Sequence, residues 1–172
     1  MSIFTLKSTK KANFSSILAI LALIFIISTQ FGCSKSGNSA CNVTAQYIPD
    51  RNTAQNTAMV AYCVANNITY TTDTSGILYQ IITPGAATKP NLCETLSMTY
   101  TGKLLNGTQF DAGTISSYSL SQLIVGWQIA VPKIGKGGRI KILIPSSLAY
   151  GSQGAGSSIP PNSPLFFDIV LN

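Results

Sequence analysis

The chain has 172 residues, of which 45% are hydrophobic and 9% are charged, and it carries a formal net charge of +6. This hydrophobic content excludes a disordered chain, and the length allows one domain with a true core plus an additional segment. The sequence contains no histidine. That absence excludes Ser/His/Asp and Cys/His triads and argues against a zinc site, so no metal is expected.

The first 32 residues have the pattern of a secretory signal. Three lysines precede an unbroken apolar run over residues 17–27, and a small residue precedes Cys33. A basic start, an apolar run of this length and a small residue before a cleavage point are typical of export signals. The run is shorter than the ~20 apolar residues that span a bilayer, which makes a short membrane anchor the lesser alternative.

The basic character of the chain belongs largely to this signal. Three of the eleven basic residues lie in it, so its removal lowers the net charge from +6 to +3. A nucleic-acid partner is therefore not implied.

The residues around the cleavage point indicate a lipid anchor. Gly32-Cys33 and the Ser34–Gly37 stretch after it resemble the lipobox of bacterial lipoproteins, with Gln30 in place of the usual leucine. The resemblance implies that Cys33 is lipidated and that residues 33–50 form a tether between lipid and domain. No Asp follows Cys33, so the inner-membrane retention signal is missing. An outer-membrane lipoprotein of a bacterium, facing the periplasm or the exterior, is the resulting expectation.

Three cysteines remain beyond the anchor, at Cys41, Cys63 and Cys93. In an oxidising compartment we expect one disulfide and one remaining thiol. The sequence leaves all three pairings open.

Residues 51–75 are predicted to form an N-terminal helical extension. Small apolar side chains recur at helical spacing from Thr53 to Ala65, with Asn52 as a plausible N-cap and Asn66-Asn67 closing the end. Two roles for this helix are open: docking on the following domain, or mediating dimerisation.

Residues 76–172 are predicted to form the main domain, of the α+β class. Alternating or β-branched runs bounded by turn residues predict strands, the first of them within the extension, over 68–72, 77–83, 96–100, 108–111, 118–120, 139–144 and 165–171. A short helix is predicted over Leu123–Ala130, with Ser121 capping its start and Pro132 ending it. An antiparallel sheet with one solvated face would curl its apolar face over that helix.

The stretch from Tyr100 to Trp127 holds four aromatic rings, one carboxylate and the only tryptophan of the chain. Asn106-Gly107 in its middle is a strong hairpin signal. Phe110-Asp111 follows at once and sets a large apolar ring beside a charge. That combination is unusual in a core and natural at the mouth of a pocket.

Other chemistries find little support in the sequence. The five acidic residues form no paired motif, which argues against a two-carboxylate glycosidase. Gly135–Gly138 lacks the spacing and the following Ser or Thr of a phosphate-binding loop. An aromatic cluster without a proton shuttle suits a reaction that needs no proton transfer.

Five motifs in order resemble the FK506-binding (FKBP-type) peptidyl-prolyl cis-trans isomerases. They are Y-T-G with N-G and F-D over 100–111, L-I-V-G-W over 123–127, the strand region 135–144, L-A-Y-G over 148–151, and I-P-P-N with L-F-F-D over 159–168. The resemblance covers about residues 76–172 and implies an FKBP-like curled antiparallel sheet wrapped over a short helix. It implies isomerisation of Xaa-Pro bonds in folding envelope or secreted proteins. The alternative is a non-catalytic peptide-binding or chaperone module of the same fold.

The resemblance also assigns roles to individual residues. Trp127 would form the pocket floor, and the walls would be formed by Tyr100, Phe110, Leu123, Ile124, Ile159 and Phe167. The Ile124 N–H and the Tyr150 hydroxyl would bind substrate carbonyls, while Asp111 would orient the site. The implied partners are proline-containing unfolded or nascent polypeptides and macrolide inhibitors of the FK506 class, with no cofactor.

Overall fold

The computed structural model describes residues 47–50 and 52–172. The helices are α1 (Thr53–Ala65) and α2 (Val125–Ala130), and the strands are β1 (Thr71–Thr72), β2 (Leu78–Thr83), β3 (Thr95–Leu104), β4 (Gln109–Ser119), β5 (Arg139–Ile144) and β6 (Leu165–Leu171). The predicted signal, the Cys33 anchor and Cys41 lie outside the described residues. Within the described part of the chain, no helix is long and apolar enough to cross a membrane.

The six strands form one antiparallel sheet in the order β1-β2-β5-β6-β3-β4. Its concave face packs on α2, where Trp127 and Ala130 are buried together with the inward-facing residues of β3, β5 and β6. Gly126 permits this close approach, because a Cβ there would lie 2.5 Å from Ile144 Cγ2. The predicted α+β fold, a curled antiparallel sheet over a short helix, is confirmed.

The N-terminal helix α1 covers part of the opposite face of the sheet. Asn52 caps it as predicted, since its side-chain oxygen accepts hydrogen bonds from two backbone N–H groups of the first turn. Met59 and Cys63 of α1 are buried. They pack against Leu78 of β2, Leu143 of β5 and Phe166 of β6. The sheet face that we expected to be solvated is thus partly apolar and covered. This packing agrees with docking as a role of the helix, and the dimerisation hypothesis stays open.

Several predicted elements differ in extent from the structure, among them the strand predicted over 96–100, which runs over Thr95–Leu104. The segments 108–111 and 118–120 are not separate, because β4 runs without a break over Gln109–Ser119. The first strand is reduced to Thr71–Thr72. Helix α2 begins at Val125, and its N-cap is Ile124 rather than Ser121, with no side chain capping it. Ser121 instead lies in a preceding 3₁₀ turn over Leu120–Gln122.

The state of Cys63 excludes two of the three disulfide pairings that the sequence left open. Cys63 is a free thiol on the side of α1 that faces the sheet, where it is buried. Burial raises its pKa to about 11. Cys93 is disulfide-bonded. Both pairings that involve Cys63 are therefore excluded.

Candidate active site

A β-bulge explains how two neighbouring residues of β4 reach the same pocket. Side chains alternate along a regular strand, so adjacent residues face opposite sides of a sheet. In the pairing of β3 with β4, Gly102 is opposite Asp111 while Lys103 is opposite Gln109, which leaves Phe110 as the extra residue. A bulge of this kind re-aims side chains. Phe110 and Asp111 consequently both line one cavity.

This cavity has a volume of about 110 Å³ and opens between the concave face of the sheet and α2. Its lining residues are Tyr100, Phe110, Asp111, Ile115, Leu123, Ile124, Trp127, Tyr150 and Phe167. Eight of the nine predicted site residues are thus brought together from β3, β4, β6, α2 and two loops. Ile115 was not predicted, because nothing in the spacing of β4 showed which of its later residues would face inward.

Ile159 does not line this cavity. It is buried in the core cluster of the domain, at 4% exposure, and forms an isolated antiparallel bridge with Ala155. The bridge closes the glycine-rich loop after Tyr150. The predicted contact of Ile159 with a substrate stays a prediction.

The back of the cavity is an aromatic cluster with edge-to-face geometry. Phe167 meets Trp127 at 5.2 Å between ring centroids, with an interplanar angle of 89°, and meets Phe110 at 5.6 Å and 88°. Tyr100 lies edge-on to Trp127 at 5.2 Å. Such arrangements are the ones that aromatic quadrupoles favour, and they hold each ring in a fixed orientation. The cavity therefore has a rigid apolar wall.

Gly102 makes this ring arrangement possible. A Cβ at this position would lie 2.6 Å from Phe110 Cζ and 2.8 Å from Phe167 Cε1. Any larger residue would push one of the two rings into the cavity. The glycine of the Y-T-G motif is thus required by packing against the aromatic wall, a role that its sequence context did not specify.

The carboxylate at the cavity mouth is fixed by a tyrosine. The Tyr100 hydroxyl donates a hydrogen bond of 2.6 Å to Asp111 Oδ2. Burial, together with this hydrogen bond and the Asp111 charge, raises the pKa of Tyr100 to about 12. The Tyr100 phenol is therefore neutral at physiological pH and keeps its proton directed at the carboxylate.

Two hydrogen-bond donors at the cavity are unused. The Ile124 N–H, at the start of α2, has no partner among the described residues, as expected at a helix N-terminus. The Tyr150 hydroxyl likewise has no partner in the described part of the chain, and its ring is 38% exposed. Burial and the Asp111 charge raise the pKa of Tyr150. The Leu123 carbonyl, in contrast, accepts a bond of 2.7 Å from Gln128.

The family model described as FKBP-type peptidyl-prolyl cis-trans isomerase matches residues 86–172, just over half of the chain. The chain belongs to this family. All nine residues around the cavity of this FKBP-type chain fall within the matched span. Helix α1 lies before it.

Known relatives match the same region. A probable FKBP-type peptidyl-prolyl cis-trans isomerase of Haemophilus influenzae is 42% identical over 104 residues, covering 58% of this chain and 43% of the relative. The outer membrane protein MIP of Legionella longbeachae is 39% identical over 101 residues, with 56% and 43% covered. This FKBP-type chain therefore spans less than half the length of these curated relatives.

Solved structures share the fold. The crystal structure of FkpA from Escherichia coli is similar with a TM-score of 0.60 and 35% identity, covering 69% of this chain and 58% of that one. A peptidyl-prolyl cis-trans isomerase from Pseudomonas syringae gives a TM-score of 0.59 and 30% identity, with 73% and 96% covered. The sheet and short helix of this FKBP-type chain are thus those of solved isomerases.

Proposed function

We propose that the protein is a peptidyl-prolyl cis-trans isomerase that accelerates rotation of Xaa-Pro bonds in folding envelope or secreted proteins. The observation that carries the proposal is the small aromatic cavity with two unused donors and one tyrosine-held carboxylate at its mouth. It is of a size for a proline ring and contains no group arranged to move a proton.

The apolar wall would act on the electronic difference between the planar and the twisted amide. Rotation is slow because amide resonance opposes twisting, with a barrier of ~18–20 kcal/mol. The twisted state has lost this resonance and is less polar at its carbonyl. A cavity floored by Trp127 and walled by Phe110 and Phe167 disfavours the polar planar state more than the twisted one. Lowering the barrier by ~5–6 kcal/mol corresponds to about ten-thousandfold acceleration.

The polar groups would hold the flanking peptide while the bond turns. The Ile124 N–H and the Tyr150 hydroxyl are available for two substrate carbonyls. Asp111, held by Tyr100, would orient the site beside the twisting amide. Because each of these groups is fixed before substrate arrives, little reorganisation opposes the rotation.

The test is cis-to-trans exchange of a Phe-Pro peptide by the purified chain. We expect Asp111→Ala to lower kcat/KM on the order of tenfold, because the carboxylate at the cavity mouth is lost. The matched control is Asp168→Ala, which removes a carboxylate paired with Arg139 on the far side of the sheet. A wild-type chain that leaves exchange at the uncatalysed rate would refute the proposal. Peptide binding without acceleration would instead identify a non-catalytic binding module.

The partners that we propose are proline-containing unfolded or nascent chains, together with FK506-class macrolides as inhibitors. Both would fill the same cavity, so a macrolide should compete with the peptide. Exchange that is catalysed but insensitive to a macrolide would restrict the site to peptides.

We also propose that the protein is an outer-membrane lipoprotein with Cys33 as its lipidated residue. Support comes from the Gly32-Cys33 context and from similarity to a relative named as an outer membrane protein. Expression with a radiolabelled fatty acid should label the wild type and leave Cys33→Ala unlabelled. Equal labelling of both would exclude this anchor.

A further inference from the structure

The first turn of α1 is fastened to the loop that carries Tyr150. Gln55 Nε2 donates to Ser146 Oγ at 2.8 Å, and Gln55 Oε1 accepts from the Ser146 N–H at 2.8 Å. The same Nε2 also lies 3.4 Å from the carbonyl oxygen of Asn162. One side chain of the N-terminal extension therefore contacts two points of the main domain that are 16 residues apart in sequence.

These two points lie on either side of Tyr150. Ser146 begins a 3₁₀ turn, and its carbonyl accepts hydrogen bonds from the N–H groups of Ala149 and Gly151 at 3.0 and 2.8 Å. Asn162 donates its own N–H to the Gly151 carbonyl at 2.8 Å. Both of the residues next to Tyr150 are thus bonded to a residue that Gln55 contacts.

The contact between Gln55 and Ser146 is bidentate and partly buried. Ser146 is 5% exposed. Without Gln55, its N–H and its hydroxyl would therefore have neither that protein partner nor ready access to solvent. A second bond, from the Ser147 hydroxyl to Asp50, joins the same turn to the segment just before α1. Helix α1 itself is fixed on the sheet by Met59 and Cys63. Gln55 is therefore held from a rigid element and cannot follow the loop if the loop moves.

We propose that Gln55 is a positioning residue of the isomerase, setting the place of the Tyr150 hydroxyl at the cavity through Ser146 and Asn162. This inference rests on the proposed function, since Tyr150 has a task only if a peptide occupies the cavity. The Tyr150 hydroxyl has no hydrogen-bond partner within the described residues, and the residue is partly exposed. Its location is consequently set by the backbone that Gln55 holds. The N-terminal extension is then part of the active site's support.

The experiment is a double-mutant cycle in the purified chain. We expect Gln55→Ala to raise KM for a Phe-Pro peptide about five- to tenfold, with a smaller change in kcat, because a misplaced hydroxyl weakens carbonyl binding. Tyr150→Phe should change the same parameter. The double variant Gln55→Ala/Tyr150→Phe should match Tyr150→Phe alone, because residues that act through one group are not additive.

Two controls on α1 separate positioning from stability. Thr57→Ala removes a hydroxyl that bonds only within the helix, to the Thr53 carbonyl, and should leave KM unchanged. Cys63→Ala loosens the packing of the same helix two turns away from Gln55. If Cys63→Ala lowers the thermal midpoint as much as Gln55→Ala does yet leaves KM unchanged, stability does not account for the effect. A KM that rises equally in both would overturn the proposal.

A second readout does not depend on activity. Tyr150 faces Asp111 and Tyr100 across the cavity, and its pKa is raised by burial and by the Asp111 charge. Releasing its loop should move that pKa back toward 10, measured by NMR on a chain labelled at the tyrosine ζ-carbons. If the wild type has no isomerase activity but Gln55→Ala still lowers the pKa of Tyr150, only the proposed function is refuted. If the wild type is active, the effects of Gln55→Ala and Tyr150→Phe on KM are additive and the pKa of Tyr150 does not change in Gln55→Ala, the positioning role is refuted.

Discussion

Phe166 and Phe167 are neighbours on β6, yet they belong to two different regions of the molecule. Phe166 faces α1, where its ring lies 5.3 Å from that of Tyr62. Phe167 faces the other side and packs edge-on against Trp127 and Phe110. Both rings are nearly inaccessible to solvent, at 6% and 3% exposure. Burial alone therefore does not distinguish the structural ring from the ring at the site.

The difference between the two regions is what covers the aromatic residues. On the α1 side a helix fills the space above the sheet, and the rings complete a closed hydrophobic cluster. On the α2 side the helix is only six residues long, and the space beyond its start is left as a cavity. The candidate site is thus a part of the core that the chain leaves uncovered, surrounded by rings that fix its shape.

The sharpest test of this comparison replaces each ring in turn by leucine. We expect Phe167→Leu and Phe166→Leu to lower the free energy of unfolding by a similar amount, about 1–2 kcal/mol. Their effects on isomerase kcat/KM should differ. Phe167→Leu should lose on the order of tenfold because the wall against Trp127 is lost, whereas Phe166→Leu should stay within about twofold. Equal losses of activity in both variants would remove the distinction between the two regions.

A smaller effect is expected from adding one methyl group behind the wall. Gly102→Ala would place a Cβ against Phe110 and Phe167, and overpacking of this kind costs about 1–3 kcal/mol. Isomerase activity should fall about fivefold because a ring is pushed into the cavity. The control is Gly113→Ala on β4, where a Cβ would meet nothing within 4 Å. Chemical denaturation measures the stability of both variants, and peptide exchange measures their activity. If Gly102→Ala left stability and activity unchanged, the rings could shift freely.

The smallest effect is a dependence of stability on alkaline pH. Tyr100 has a pKa of about 12 in the folded protein, against 10.0 for an unperturbed tyrosine. Because the folded value is the higher one, the stabilisation is fully present below pH 10 and is lost as the pH rises through 12. We expect Tyr100→Phe to flatten the fall in unfolding free energy over this window, measured by urea denaturation.

Tyr62→Phe supplies the comparison from the α1 side. Burial raises the pKa of Tyr62 as well, but no carboxylate among the described residues accepts a hydrogen bond from its hydroxyl. Its replacement should therefore flatten the curve less than Tyr100→Phe does. If Tyr62→Phe flattened the pH dependence of the unfolding free energy more than Tyr100→Phe, the pH-sensitive contact would lie on the α1 side of the sheet and the prediction would be wrong.

Elements with one dominant local signal could be predicted from the sequence. The helix over Thr53–Ala65 and the strands over Arg139–Ile144 and Leu165–Leu171 have the predicted bounds, because side-chain periodicity and caps lie within each segment. Strand β4 was divided in the prediction since its Gly and Ser residues resemble loop composition. It is held instead by pairing with β3, and irregular pairing at both ends disrupts its alternation.

The candidate site divides in the same way. Motif resemblance supplied the residues that come together, but the contacts that set their geometry are not local. Ile115 reaches the cavity through the register of β4, and Gly102 is required by rings that arrive from two other strands. Gln55 and Ser146 are separated by 91 positions, and neither belongs to a pattern. Such contacts follow from tertiary packing, which periodicity and spacing do not encode.

The position of Trp127 makes the protein its own optical reporter. It is the single tryptophan of the chain, lies at the cavity floor, and has an indole N–H with no hydrogen-bond partner among the described residues. An indole in such dry surroundings fluoresces at the blue end of its range. A ring settling onto it would change the intensity, with no second indole to dilute the signal. Occupancy of the cavity can therefore be followed by light emission from the unlabelled chain.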